Sequence, residues 1–130
     1  MSEPQPGATA TVRHVVTEAD TALAVGSGDV PVLGTPRLLA LAEAATVAAL
    51  TLDAGATTVG TRVELDHLAA TPVGGAVTVV AELVEVAGRS LRFTVTATDD
   101  GGAAVATGTV VRAMVDRARF LRRVGAISDH

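Results

Sequence analysis

The chain contains no cysteine, no tryptophan and no tyrosine, and Phe93 and Phe120 are its only aromatic residues. Without thiols there are no disulfides, no thiolate nucleophile and no Cys-ligated metal. Without tryptophan or tyrosine there is little for the bases of a single-stranded nucleic acid to stack on. Positive charge is also scarce: the formal net charge is −4, and no basic stripe runs through the body of the chain. These features argue against nucleic acid as a partner. The first residues, MSEPQPGATAT, lack the basic-then-apolar order of a secretory signal. The apolar run at 38–52 is too short to span a bilayer and carries Glu43 within it. The expectation is a soluble, cytoplasmic protein with no membrane partner. Walker, GxGxxG, GxSxG and HExxH signatures are missing as well.

What is present is 130 residues, 48% apolar and 18% charged, which suits one domain around one core. The apolar residues are mainly Ala, Val and Leu, so the core must be filled by branched aliphatics and close backbone approach. Residues 1–7 read as a loose N-terminal tail, 8–124 as the domain, and 125–130 as a C-terminal tail. ATATVRHVV (8–16) is rich in β-branched residues and reads as a strand. TALAVGSGDVPVLG (21–34) starts strand-like and breaks into a Gly/Pro loop. The apolar stretch that follows reads as a helix, with Thr35 as its cap, Pro36 in its first turn and DAG at 53–55 as its end. Four extended segments come next, at 57–69, 76–87, 91–99 and 103–116, separated by turn-forming residues. Residues 117–124, RARFLRRV, form a short basic segment of helical character. The helix is apolar nearly all round, which predicts burial on most sides. One such helix with one antiparallel sheet predicts an α+β hotdog fold, the sheet curling around the helix.

Glu43 is the only charge in the apolar body of that helix. A buried carboxylate must be paired, hydrogen-bonded or protonated, because its desolvation alone costs several kcal/mol, about the scale of a lost core contact. It is therefore either a functional group or a residue solvated at a seam. In TRVELDHLA, strand alternation puts His67 on one face with Thr61, Val63 and Leu65. That face should meet the helix, where His67 is either a catalytic imidazole or a satisfied core histidine. His14 shares the parity of Val12 and Val16 but has no second cue. Thr35 has a structural explanation as a cap and a functional one as a hydroxyl at a helix N-terminus. The turn TPVGG offers Gly74 or Gly75 as backbone donors to a carbonyl. Arg117, Arg119, Arg122 and Arg123 form either a solvated face or a dock for the phosphates of a nucleotide-bearing ligand.

Three stretches, GTPRLLALAEAA, VELDHLAATPVG and VVRAMVDRARF, resemble the fluoroacetyl-CoA thioesterase-like branch of the hotdog thioesterases. The resemblance runs from about Val32 to Phe120 and is most specific in the first two stretches. It implies a homodimeric hotdog that hydrolyses acyl-CoA thioesters with no cofactor beyond the CoA of the substrate. It also implies a catalytic trio of Thr35, Glu43 and His67, and a substrate-contacting glycine at Gly74. The fluoroacetate-specific member carries aromatic residues before the helix. GSGDVPVLG has none here, so the resemblance implies a different acyl group.

In the catalytic reading Thr35 attacks or positions, and His67 is the general acid–base near neutral pH. Glu43 attacks, activates water or orients its partners, and Arg37 or the tail arginines meet the CoA phosphates. The alternative is a non-catalytic module that binds acyl-CoA or a small hydrophobe, although binding alone does not require the three polar residues. A hydratase is disfavoured, because Asp66 adjoins His67 and faces the other way.

Overall fold

The computed structural model describes residues 3–125. Met1, Ser2 and all of the C-terminal tail except Gly125 lie outside the described residues. The chain runs through β1 (Thr9–Val15), a 3-10 turn (Glu18–Asp20), α1 (Ala22–Val25) and α2 (Thr35–Ala48). It continues with β2 (Ala56–His67), β3 (Ala76–Ala87), β4 (Ser90–Asp99), β5 (Ala104–Asp116) and α3 (Arg117–Arg123). The five strands form one antiparallel sheet in the order β1-β3-β4-β5-β2. α2 lies across the sheet and touches all five strands. This is the hotdog arrangement.

Alternation in the strands builds the core. Val77, Val79, Ala81 and Leu83 of β3 and Leu91, Phe93, Val95 and Ala97 of β4 point to the helix side and are buried. α2 meets them with Leu38, Leu41, Ala42, Ala45 and Thr46, the spacing of one helix face. Ala42 and Ala45 let the helix approach closely, as a core with few rings requires. Phe93 is the one large ring in it. Close approach also acts between strands. A Cβ on Gly108 of β5 would collide with the Glu64 carbonyl of β2, so only glycine fits there.

Three local expectations are corrected. Residues 22–25 are helical rather than strand-like. Thr21 caps them by accepting from Ala24 N at 3.2 Å, and Ala22 N donates to Val32 O at 2.8 Å. α2 ends at Ala48, several residues before Asp53, because the chain must turn back into β2 at Ala56. Nor is the helix buried on most sides. Pro36, Ala40, Ala44, Val47 and Ala48 form an exposed stripe, with Val47 at 51%, because a single sheet covers only one side of it.

Gly108→Ala should therefore lower the stability of the chain by at least about 2 kcal/mol, the cost of forced overpacking against backbone. Denaturant titration reads this, and a midpoint equal to wild type would contradict the close approach.

Candidate active site

The first turn of α2 is built around Gly34. Gly34, not Thr35, is the N-terminal cap. A Cβ there would come within 3.0 Å of Val25 Cγ2 and 3.1 Å of Ala22 Cα, and its N–H donates to Asp20 O at 2.9 Å. Thr35 thus occupies the first helical position and its side chain makes no capping bond. The hydroxyl is turned instead to His67 at the end of β2, with Oγ1 2.7 Å from Nδ1. The capping explanation of Thr35 fails, and a hydroxyl–imidazole pair replaces it at an exposed helix N-terminus. His67 lies half-buried on the helix side of the sheet, as strand parity predicts. Its Nε2 is buried without a partner among the described residues, as is Thr71 Oγ1 on the turn that follows. Buried polar atoms are seldom left unpaired in folded proteins.

Glu43 lies elsewhere in the same chain. Its Oε2 is 3.3 Å from Nη1 of Arg112 on β5, and a Cβ on Gly60 of β2 would lie 2.5 Å from it. Arg112 is itself buried and donates from Nε to Thr58 Oγ1 at 2.8 Å and from Nη2 to Thr58 O at 3.3 Å. The carboxylate is thereby held over the middle of β2, next to the register shift between Gly60 and Arg62. Gly60 and His67 are seven positions apart on one strand. At ~3.3 Å per residue this separates them by roughly 20 Å. A single chain brings Thr35 and His67 together and leaves Glu43 apart.

Sequence reasoning passed over Arg112 and Asp20. Arg112 reads as an ordinary strand residue until β5 places it under Glu43. Gly60 carried a usable signal, an isolated glycine inside a strand pattern, which marks a bulge or a close approach. Asp20 joins three elements. Its carboxylate accepts from Arg37 Nε at 2.8 Å and from Thr17 N at 2.7 Å, and it bonds His14 Nε2 at 2.7 Å. Burial would push this carboxyl up. The Thr17 backbone, His14, Arg37 and the Thr17 hydroxyl together outweigh that and hold it well below the usual carboxylate range. Arg37 is thus engaged with Asp20 through Nε, fastening the start of α2 to β1.

The turn glycines differ from expectation. Gly74 N donates to Val16 O at 2.8 Å and Gly75 N to Pro72 O at 2.9 Å, so neither N–H is free for a substrate carbonyl. Gly74 has φ of 91°, a backbone state that favours glycine, which accounts for the residue by the turn itself.

Comparison with known proteins agrees with this fold. Residues 16–118 match the model of a family described as fluoroacetyl-CoA-specific thioesterase. A fluoroacetyl-CoA thioesterase of Streptantibioticus cattleyicolor is 37% identical over 117 residues, covering 88% of this chain and 80% of that protein. A solved variant of the fluoroacetyl-CoA-specific thioesterase FlK, in complex with fluoroacetate and CoA, superposes with a TM-score of 0.83. It is 33% identical and the match covers 90% of this chain and 99% of that one. A Thermus thermophilus thioesterase superfamily member superposes with a TM-score of 0.87 at 25% identity, over 96% of each chain.

The clamp at Asp20 has a measurable signature. Its carboxyl is easier to ionise folded than unfolded, so its stabilisation is in place above an unfolded pKa of about 3.9 and drains away as pH falls below it. Asp20→Asn should cost about 2 kcal/mol near neutral pH, the scale of hydrogen bonds to a charged group. The gap from wild type should narrow in denaturation experiments run below about pH 4. A gap independent of pH would contradict the assignment.

Proposed function

The chain belongs to the fluoroacetyl-CoA-specific thioesterase family, and we propose that it hydrolyses an acyl-CoA thioester to a carboxylic acid and free CoA in the cytoplasm. The observation that carries this reading is the 2.7 Å contact between Thr35 Oγ1 and His67 Nδ1. A hydroxyl within hydrogen-bond reach of an imidazole is the arrangement of an activated nucleophile and its base. Thr35 Oγ1 attacks the thioester carbonyl while its proton passes to His67. The carbonyl oxygen gains negative charge at the N-terminal end of α2, where the helix dipole favours it. The C–S bond breaks, the CoA thiolate takes the proton from His67, and an acyl ester remains on Thr35. Water then attacks the ester carbonyl and gives a proton to Glu43; the bond between the acyl carbon and Thr35 Oγ1 breaks, the carboxylic acid leaves, and Oγ1 takes that proton back from Glu43, which restores both groups. The reading calls on no metal and no cofactor apart from CoA itself. The FlK variant solved with fluoroacetate and CoA supports CoA as the carrier. The segment 26–34 before α2 contains no aromatic residue, which supports an acyl group other than fluoroacetyl.

Glu43 reaches this centre from a second copy of the chain. β2 is the last strand of the sheet order and its outer edge is open among the described residues. An open edge of twelve residues is a template for pairing. If two β2 edges pair antiparallel about a two-fold axis between Gly60 and His67, Gly60 and Glu43 of one protomer come opposite His67 and Thr35 of its partner. The exposed stripe of α2 and the half-exposed Val63 then gain a covering surface. The homodimer carries two complete centres, each with Thr35 and His67 from one copy and Glu43, fastened by Arg112, from the other.

The test is release of free thiol from acyl-CoAs of graded chain length, with Thr35→Ala, Glu43→Ala and His67→Ala beside wild type. Each variant should lose about a hundredfold or more in kcat, the usual contribution of a positioned acid–base group. Binding of an acyl-CoA without turnover would instead favour a non-catalytic module, and a variant as active as wild type would remove that residue from the mechanism.

A further inference from the structure

At the far end of β2 from His67, a groove of about 450 Å³ opens between three elements. Its walls are the start of β2 at Ala56, the turn between β3 and β4 at Arg89, and α3 with Arg119 and Arg123. Its volume falls in the range of about 300–1,000 Å³ typical of ligand sites. The walls are fixed by backbone bonds. Met114 N donates to Arg89 O at 2.8 Å, and Arg117 N donates to Gly55 O at 2.8 Å. α3 begins on Asp116, whose Oδ1 accepts from Arg119 N at 2.8 Å.

The arginines are distributed unevenly. All ten basic residues are arginine. Arg13, Arg37, Arg62, Arg92 and Arg112 are ion-paired with carboxylates. The other five, Arg89, Arg117, Arg119, Arg122 and Arg123, have no ion pair among the described residues, and all belong to α3 or the β3–β4 turn. Arg119 and Arg123 are four positions apart and share a face of α3, and Arg89 faces the same groove from the turn. Three unpaired guanidiniums from two elements thus converge in a protein of formal charge −4. Guanidinium forks suit phosphate oxygens. The groove also holds Glu3 and Asp116, but the Asp116 carboxylate is already occupied by the helix it caps. Its apolar side is Met114 and the half-buried Phe120, one of the two aromatic rings in the chain and a surface on which a purine can stack.

We infer that this groove docks the nucleotide end of the CoA substrate, its phosphates on Arg89, Arg119 and Arg123 and its adenine against Phe120. The inference rests on the acyl-CoA reading and on the two-fold pairing of β2. Ala56 in the groove and Gly60 beside Glu43 are four positions apart on one strand. At ~3.3 Å per residue this is about 13 Å, a span that the pantetheine arm bridges. Each groove therefore serves the centre to which its own protomer contributes Glu43 and the partner contributes Thr35 and His67.

Calorimetric titration with CoA, which needs no turnover, tests the assignment. The double variant Arg119→Gln/Arg123→Gln should bind CoA about tenfold or more weakly than wild type. Arg13→Gln, which removes an equal charge far along the sequence at the exposed pair with Asp100, should bind as wild type does. Adenosine 3′,5′-bisphosphate should compete with CoA on the wild-type protein far better than inorganic phosphate does. Unchanged CoA affinity in the double variant, or inorganic phosphate competing equally well, would overturn the assignment, as would absence of CoA binding to the wild type. Arginine-dependent CoA binding without thiol release would leave the dock standing and remove the hydrolase reading. Thiol release with a KM indifferent to the two arginines would do the reverse. Matching thermal melts of variants and wild type separate lost binding from lost folding.

Discussion

A helix that is apolar on all sides needs more cover than one sheet can give, and much of this molecule follows from that constraint. The sheet takes one face of α2, with Leu38, Leu41, Ala42 and Ala45 against the alternating residues of β3 and β4. The opposite stripe, from Pro36 to Ala48, is left to solvent in the single chain, and the long β2 edge lies open. The same geometry divides the chemistry. The start of α2 meets His67, whereas the middle of α2 carries Glu43 over Gly60 and Arg112. The proposed second copy, related by a two-fold axis, would answer all three needs together: it would cover the stripe, pair the edge and reunite the polar residues.

The remaining polar network holds these two groups of residues in place. Asp20 ties the loop before α2 to β1 through His14 and to the first turn of α2 through Arg37, so the position of Thr35 is set from outside its pairing with His67. Arg112 does the corresponding work for Glu43. It is buried, bonded twice to Thr58 of β2, and presents its remaining nitrogen to the carboxylate. Glycine serves a distinct role at each of three close approaches: Gly34 against α1, Gly60 under Glu43 and Gly108 against Glu64. A chain with few rings and much alanine packs by such approaches.

The strands were legible from sequence because alternation and turn residues are local signals. The expected segment 76–87 coincides with β3, and the others agree to within a few residues. His67 was legible for the same reason, since strand parity sets its face. What escaped depends on contacts distant in sequence. Thr35 beside Pro36 imitates a cap, and only the crowding of Gly34 by Ala22 and Val25 shifts the helix start by one residue and frees the hydroxyl. α1 is held by its bond to Val32, so strand-like composition did not reveal it. Glu43 and Arg112 are 69 positions apart, and nothing near either residue announces the pair. The separation of Glu43 from His67 within one chain was equally hidden, because spacing along a helix and parity along a strand do not say where the two cross.

The most direct test of a centre shared between two chains is complementation between inactive partners. Glu43→Ala and His67→Ala proteins are prepared separately, then mixed under conditions of subunit exchange, with heterodimers verified by native mass spectrometry. In a mixed dimer one centre keeps Thr35 and His67 from the first variant and Glu43 from the second, while the other centre loses both. The account predicts that each variant alone is inactive and that thiol release returns in proportion to the heterodimer formed. Heterodimers that stay inactive, or a wild-type protein that is active as a monomer, would contradict it.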